Sequence, residues 1–216
     1  MHAGKPIIGI VGGIGSGKTF VSRLFGELGC LVIEADALVR EAYDDPAVHR
    51  ALREWWGEEV FQPDGRVDRP AIARRVFNDP DQRRRLEGLL HPWVNDRRQI
   101  LQEQADPRTV AFIWDTPLLF ETGLNRLCDA VVFVEVPESE RLSRVASQRG
   151  WDAAELHRRE NLQLPLDKKK EISDHVVVNT VGAAAKTAAP ACDTRSQVRE
   201  ILSRIVAGLP KRPDRA

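Results

Sequence analysis

Residues 7–20 read IIGIVGGIGSGKTF, a β-branched run that breaks into a glycine-rich segment ending in lysine. The spacing fits the phosphate-binding pattern G-x-x-x-x-G-K-[ST], with Gly12 first and Thr19 last. Glycines let backbone N–H groups turn inward toward an anion, and the lysine brings a positive charge to the β- and γ-phosphates. The threonine hydroxyl is a ligand for Mg²⁺. The residues predicted to contact the nucleotide are Gly12, Gly13, Ile14, Gly15, Ser16, Gly17, Lys18, Thr19 and Phe20.

The residues around this segment favour a strand before it and a helix after it. Residues 7–11 are typical of a buried parallel strand. Apolar side chains at Val21, Leu24, Phe25 and Leu28 then follow the spacing of one helix face, and Gly29 stands where a helix ends. The alternative is an ordinary glycine-rich turn, which would not require the order of strand, glycine loop and helix that the sequence shows. The sequence therefore predicts a P-loop that binds a nucleoside triphosphate.

Composition limits the other classes of function. The chain has 216 residues, 42% of them hydrophobic, and Lys plus Arg and Asp plus Glu both total 32. A balanced charge argues against a general nucleic-acid binder. We expect no membrane span and no secretion signal, and hence a cytoplasmic location. We also expect no obligate protein partner. Cys30, Cys128 and Cys192 lack C-x-x-C spacing and are expected to be free thiols.

Strand-like and helix-like segments alternate along the chain, which favours an α/β fold with three α/β/α layers. Two intervals, 37–105 and 138–170, are longer than simple crossovers. They are interpreted as helical insertions at the carboxyl end of the parallel strands, where ligands bind. An alanine-rich segment, 181–193, is interpreted as a linker before a last helix, in which Val198, Ile201, Leu202 and Ile205 form an apolar stripe. We therefore predict a single domain, 1–216. Its five parallel strands are predicted at residues 7–11, 31–33, 110–114, 130–136 and 175–179.

A P-loop alone does not separate kinases from other nucleotide-binding proteins. The chain lacks an N-K-x-D guanine-reading tetrad and an ABC-type signature, and it carries VIEADALVREA after the second strand. Asp36 in this block could accept the proton of an attacking hydroxyl, as phosphoryl transfer requires. Alternatively, it could be the N-cap of a helix that begins at Ala37. The spacing alone leaves both interpretations open.

Seven segments together resemble the dephospho-coenzyme A kinase family of P-loop kinases. They are GIVGGIGSGKT, VIEADALVRE, DGRVDRPAIARRVF, LEGLLHP, DTPLLFETGL, DAVVFVEVP and DHVVVN, in that order. The resemblance implies transfer of the ATP γ-phosphate to the ribose 3′-hydroxyl of dephospho-coenzyme A, the last step of coenzyme A synthesis. It also implies that 37–105 is a helical substrate-binding insertion and 138–170 a lid.

The resemblance also assigns roles to individual residues. It places the catalytic base on Asp36 and implies that Arg40 faces the acceptor. It implies that one of the lid arginines, Arg144 or Arg149, contacts ATP and, with Lys18, stabilises the transferring phosphoryl group. Asp115, at a strand end, is a candidate Mg²⁺ ligand beside Thr19, with an ordinary strand-end carboxylate as the alternative. Further candidates for acceptor binding are His91, Leu118, Leu119 and Glu121.

Three departures from the family pattern stand out. Phe20 replaces a hydroxyl residue that could reach the α-phosphate, so ATP affinity is expected to be lower. Glu34 replaces the shorter first acid of the block around Asp36. Residues 178–181 lack the aspartate and glycine that usually follow the fifth strand, which affects the expected adenine-binding edge.

Overall fold

A computed structural model describes residues 4–77, 79–180 and 193–208. The chain forms two compact units: the core unit, made of Met1–Ile33 and Ala105–Ala216, and the helical unit, Glu34–Gln104. The predicted linker lies outside the described residues except at its last position, Asp193. Within the described part of the chain, no helix has the length and apolarity needed to cross a membrane.

The core unit is built on a five-stranded parallel sheet, as predicted. In spatial order, the strands run β2-β3-β1-β4-β5. The central strand β1 is buried along its whole length, which explains its continuous apolar sequence. The strands are β1 (Ile7–Gly12), β2 (Leu31–Glu34), β3 (Phe112–Asp115), β4 (Ala130–Glu135) and β5 (His175–Val178).

The third strand begins two residues later than predicted. Val110 and Ala111 still bond to the neighbouring segment, because the Val110 N–H donates to Gly29 O and the Leu31 N–H donates to Ala111 O. The other predicted strands differ from the observed ones by at most one residue at an end.

Helices α1 (Lys18–Glu27) and α9 (Thr194–Val206) pack on the sheet through the apolar stripes read from the sequence. The end of α1 is set by Gly29, whose φ of 87° favours glycine. The Gly29 N–H donates to Gly26 O, and the Cys30 N–H donates to Phe25 O. This pair of bonds is a Schellman motif and closes the helix where the glycine predicts. The other helices of the core unit are α6 (Glu138–Arg149), α7 (Ala153–Glu160) and α8 (Leu166–Glu171).

The helical unit has its own apolar core, which includes Leu52, Trp56, Ile72 and Leu90. Two indole N–H groups fix helices to one another: Trp56 Nε1 donates to Gln82 at 2.8 Å and Trp93 Nε1 donates to Asp45 at 2.8 Å. The helices of this unit are α2 (Ala35–Ala42), α3 (Pro46–Trp56), α4 (Arg69–Phe77) and α5 (Pro80–Glu103). They occupy most of the interval that the sequence assigned to a substrate-binding insertion.

Candidate active site

The glycine-rich loop connects β1 to α1, and Lys18 is the first residue of the helix. The Lys18 ammonium donates to the carbonyl oxygens of Gly12 and Gly13, both at 3.1 Å. The positive charge is therefore held at the loop and beside the N-terminus of α1. Both features favour an anion at this place.

Three successive carbonyls of the loop are bound by side chains of the core unit. Arg141 Nη1 donates to Ile14 O at 3.3 Å. Arg144 Nη1 donates to Gly15 O at 3.3 Å and to Ser16 O at 3.2 Å, and Asn179 Nδ2 donates to Ser16 O at 2.8 Å.

These carbonyl contacts set the direction of the loop amides. In a trans peptide the C=O and the following N–H point in opposite directions. The N–H groups of Gly15 and Gly17 therefore point away from the two arginines, and this arrangement forms an anion-binding nest.

Two positions of the loop require glycine, both because a Cβ would lie too close to a neighbouring atom and because the backbone φ is positive. Gly15 has φ 79°, and a Cβ there would lie 2.9 Å from Arg141 O on helix α6. Gly17 has φ 81°, and a Cβ there would lie 2.5 Å from Asn179 Nδ2. The loop is thus packed directly against α6 and the residue after β5.

The candidate metal ligands are few. Thr19 is exposed in the first turn of α1, whereas Asp115 is only 7% exposed and ends β3 beside Ile10 of β1. Among the described residues, no group of three His, Cys, Asp or Glu side chains could hold a metal. One hydroxyl and one carboxylate fit Mg²⁺, which typically binds one or two protein carboxylates together with substrate phosphates.

The structure places the two predicted lid arginines differently. Arg144 is occupied by the loop carbonyls, by Glu140 at 2.6 Å and by Asn179 O at 2.8 Å. Arg149 instead lies 4.8 Å from the ring centre of Trp151, over which Arg159 also stacks at 4.1 Å. Arg144 therefore supports the loop in this structure, and a direct contact of either arginine with ATP stays a prediction.

The loop after β3 is divided between packing and ion pairing. Leu119 has no exposed surface and fills the space beside Gly9, whereas Leu118 is 42% exposed. Glu121 Oε1 lies 2.8 Å from Lys169 Nζ and accepts the Leu164 N–H at 2.9 Å. Burial opposes ionisation of Glu121, but the Lys169 and backbone bonds outweigh it and lower the pKa of the carboxyl.

These contacts make Leu119 and Glu121 parts of the frame of the core unit. Of the two leucines, Leu118 is the one whose side chain has surface available for a ligand. Acceptor binding by any of the three stays a prediction.

In the helical unit, helix α2 begins at Ala35 and Glu34 is its N-cap. Asp36 therefore lies within the first turn, and the alternative in which it caps a helix starting at Ala37 is wrong. Its side chain is exposed, as is that of Arg40 one turn later. Residues four positions apart share one helix face, so the two predicted acceptor-binding residues lie on the same side of α2. The other candidate of this unit, His91, is exposed on α5.

Arg40 also lines a cavity of about 270 Å³ that lies wholly within the helical unit. Two more arginines, Arg66 and Arg69, line this arginine cavity. Burial raises the pKa of Tyr43 in its wall, and the nearby positive charge of Arg69 opposes that shift. The cavity was not predicted from the sequence.

Sequence reasoning also missed Arg141, Glu160 and Asn179 as contacts of the phosphate loop. Arg141 lies in the interval 138–170, which was interpreted as a lid, and no role was predicted for its charge. Its side chain is 6% exposed. Because these contacts span 127 to 163 residues of sequence, no local pattern could have found them.

Comparisons with known proteins agree with this geometry. A profile of the family described as Dephospho-CoA kinase matches residues 6–185. A dephospho-CoA kinase from Anaeromyxobacter dehalogenans is 42% identical over 80% of this chain and 83% of its own length. The enzyme of that name from Syntrophotalea carbinolica is 35% identical over 96% and 95%.

A solved structure gives the same picture of the fold. The protein TT1252 from Thermus thermophilus superposes with a TM-score of 0.75 at 32% identity, covering 95% of this chain and 98% of the other. With a family profile that spans most of the sequence and relatives above 30% identity over nearly all of it, the chain belongs to the dephospho-CoA kinase family.

Proposed function

We propose that this protein transfers the γ-phosphate of ATP to the ribose 3′-hydroxyl of dephospho-coenzyme A, giving coenzyme A and ADP. The observation that carries the proposal is the loop itself. The carbonyls of Ile14, Gly15 and Ser16 are bound by Arg141, Arg144 and Asn179, which turns the N–H groups of Gly15 and Gly17 to the opposite side, where a phosphate can bind. Family membership supplies the identity of the acceptor.

On the donor side, Lys18 neutralises the charge that spreads over the transferring phosphoryl group. Thr19 and Asp115 would hold Mg²⁺, which would further reduce the negative charge of the phosphates. Because Asp115 is buried at the end of β3, its carboxylate is positioned by the sheet.

On the acceptor side, Asp36 accepts the proton of the 3′-hydroxyl as that oxygen attacks phosphorus. An exposed carboxylate in the first turn of a rigid helix is available for this role. Arg40 shares the helix face with Asp36 and also lines the arginine cavity.

The arginine cavity suits the diphosphate that joins the adenosine and pantetheine parts of the acceptor. Arg40 and Arg69 form no ion pair with a carboxylate among the described residues, so their guanidinium groups are available to an incoming anion. Guanidinium groups bind phosphate oxygens with two parallel hydrogen bonds, which gives direction as well as affinity.

A coupled assay that follows ADP release tests this function. The acceptors are dephospho-coenzyme A, AMP and a set of sugars, and the phosphorylated product is mapped to establish which hydroxyl was modified. We expect dephospho-coenzyme A to be strongly preferred and modified at the 3′ position. Preference for a sugar or for AMP would instead identify a different small-molecule kinase on the same fold.

We also propose that the protein acts in the cytoplasm and needs no partner protein. The two described cysteines, Cys30 and Cys128, are buried thiols, which agrees with a reducing compartment.

A further inference from the structure

A buried ion pair stands beside the phosphate loop, and its carboxylate has no role in the reaction described above. Arg141 on α6 and Glu160, the last residue of α7, form a salt bridge with side chains only 6% and 16% exposed. Charges removed from water in this way require compensation from additional hydrogen bonds. Here that compensation comes from one residue of the loop.

Both backbone groups of Ile14 are bound by the pair. The Ile14 N–H donates to Glu160 Oε1 at 3.3 Å, and Arg141 Nη1 donates to Ile14 O at 3.3 Å. These bonds are longer than the usual 2.9–3.0 Å, so each is modest alone. Together they fix the position and orientation of two consecutive peptide groups at the middle of the loop.

The pair also touches the neighbouring glycine. A Cβ on Gly13 would lie 2.9 Å from Arg141 Nη1 and 3.0 Å from Leu166 Cδ1 on α8. The guanidinium therefore lies directly against the loop backbone, and three helices following β4 contribute to its support.

We infer that Arg141 and Glu160 are positioning residues for ATP: they hold Ile14 so that the amides of Gly15 and Gly17 keep the direction that phosphate binding requires. They act through the backbone and do not touch the nucleotide. The inference rests on the proposed function only in taking an adenine nucleotide as the ligand.

The decisive variant replaces both charged residues with methionine, R141M/E160M. It removes both bonds to Ile14 without leaving an isolated buried charge, and apolar replacement of a buried pair is often neutral for stability. We expect the melting temperature to be preserved and the Kd for ADP, measured by calorimetry without acceptor, to rise about tenfold. The KM for ATP should rise in parallel, with kcat and the KM for the acceptor little changed.

Two further variants separate positioning from simple stabilisation. R141M/E160Q retains a side-chain acceptor of the parent length for the Ile14 N–H, and we expect its ADP affinity to lie between those of the parent protein and R141M/E160M. The matched control, R204M/E200M, removes an exposed ion pair of α9 and should leave ADP affinity unchanged.

The inference is overturned if folded R141M/E160M binds ADP within about twofold of the parent protein, a difference well below 1.4 kcal/mol. Should that variant not fold, Arg141→Lys keeps a cation beside Glu160 but loses the planar guanidinium that bridges to Ile14. Unchanged ADP affinity in Arg141→Lys would then overturn the inference. Because ADP binding needs no acceptor, failure of dephospho-coenzyme A as a substrate would appear separately.

Discussion

The two units use arginine in opposite ways. In the core unit, Arg141 and Arg144 are buried or nearly so, and both bond to loop carbonyls. Arg141 also pairs with Glu160 of α7, and Arg144 pairs with Glu140 of its own helix. In the helical unit, Arg40 and Arg69 are exposed at a cavity and form no ion pair among the described residues. Arg66, in the wall of the same cavity, pairs with Asp64. The arginines beside the loop therefore shape a phosphate site, whereas Arg40 and Arg69 are available to a ligand.

This difference predicts how substitutions in the two units fail. Removing a charge that shapes the loop should weaken nucleotide binding for every acceptor. Removing a charge at the arginine cavity should weaken one acceptor and leave ATP untouched. The variants below test that contrast in order of expected effect.

The largest effect is expected for Lys18→Ala. The change removes positive charge from the developing phosphoryl group and should lower kcat by roughly 10³-fold or more. Lys18 contributes bonds to two loop carbonyls but is not part of the apolar core, so the melting temperature should change little. Steady-state kinetics and thermal unfolding measure the two quantities, with the exposed Lys168→Ala as control. Retention of most of the turnover would contradict the phosphate-site assignment.

Asp36→Asn should lower kcat by about 100-fold, the usual scale for a positioned proton acceptor. The amide keeps the size of the side chain, and Glu34 rather than Asp36 caps the helix, so folding should be preserved. The Kd for ADP should stay at the parent value because the donor site is unaltered. Asp96→Asn, an exposed aspartate of α5, is the matched control. Loss of folding with kcat per folded molecule intact would assign Asp36 a structural role.

Arg69→Gln tests the arginine cavity. If its guanidinium binds the acceptor diphosphate, the KM for dephospho-coenzyme A should rise about tenfold while the KM for ATP stays constant. Arg50→Gln on α3 removes an exposed arginine that does not line the cavity and should have no effect. A parallel rise in the KM values for dephospho-coenzyme A and ATP would contradict the proposal that the cavity arginines bind only the acceptor.

The smallest effect is expected for Phe20→Thr. The ring is 51% exposed, so its removal should not open a core cavity or lower the melting temperature. A hydroxyl here could donate to the α-phosphate, and a net hydrogen bond to a charged group contributes roughly 1.5–3 kcal/mol. We therefore expect a several-fold lower KM for ATP with kcat unchanged. Leu162→Thr, which also removes an exposed apolar side chain, should leave the KM unaltered.

The sequence predicted those parts of the molecule that depend on local chemistry. The order of strand, glycine loop and helix, the helix end at Gly29 and the stripe of α9 all follow from spacing along the chain. The start of α2 was misplaced by two residues in one interpretation, because aspartate is a preferred N-cap residue, whereas Glu34 occupies the cap position without a side-chain cap bond. Only the backbone shows which of them adopts the cap position.

Only the part of the candidate site formed by the phosphate-loop motif was predictable from the sequence. The glycines and Lys18 carry a motif that is read directly, whereas the outer contacts come from Arg141, Glu160 and Asn179, far away in sequence. Leu118 and Leu119 illustrate the same limit. Two adjacent leucines look alike in sequence, and the turn after β3 buries one and exposes the other.

The central position of β1 has a consequence for synthesis on the ribosome. Its two neighbours are β3, which begins at Phe112, and β4, and the Ile7 N–H bonds to Asp129, 122 residues along the chain. At 5–20 residues per second, the emerging strand stays without its partners for on the order of ten seconds. The helical unit is complete by Gln104 and is held by contacts closer in sequence, so it can fold first. During translation, the apolar strand that leads into the phosphate loop is therefore the segment most exposed to chaperones and to aggregation.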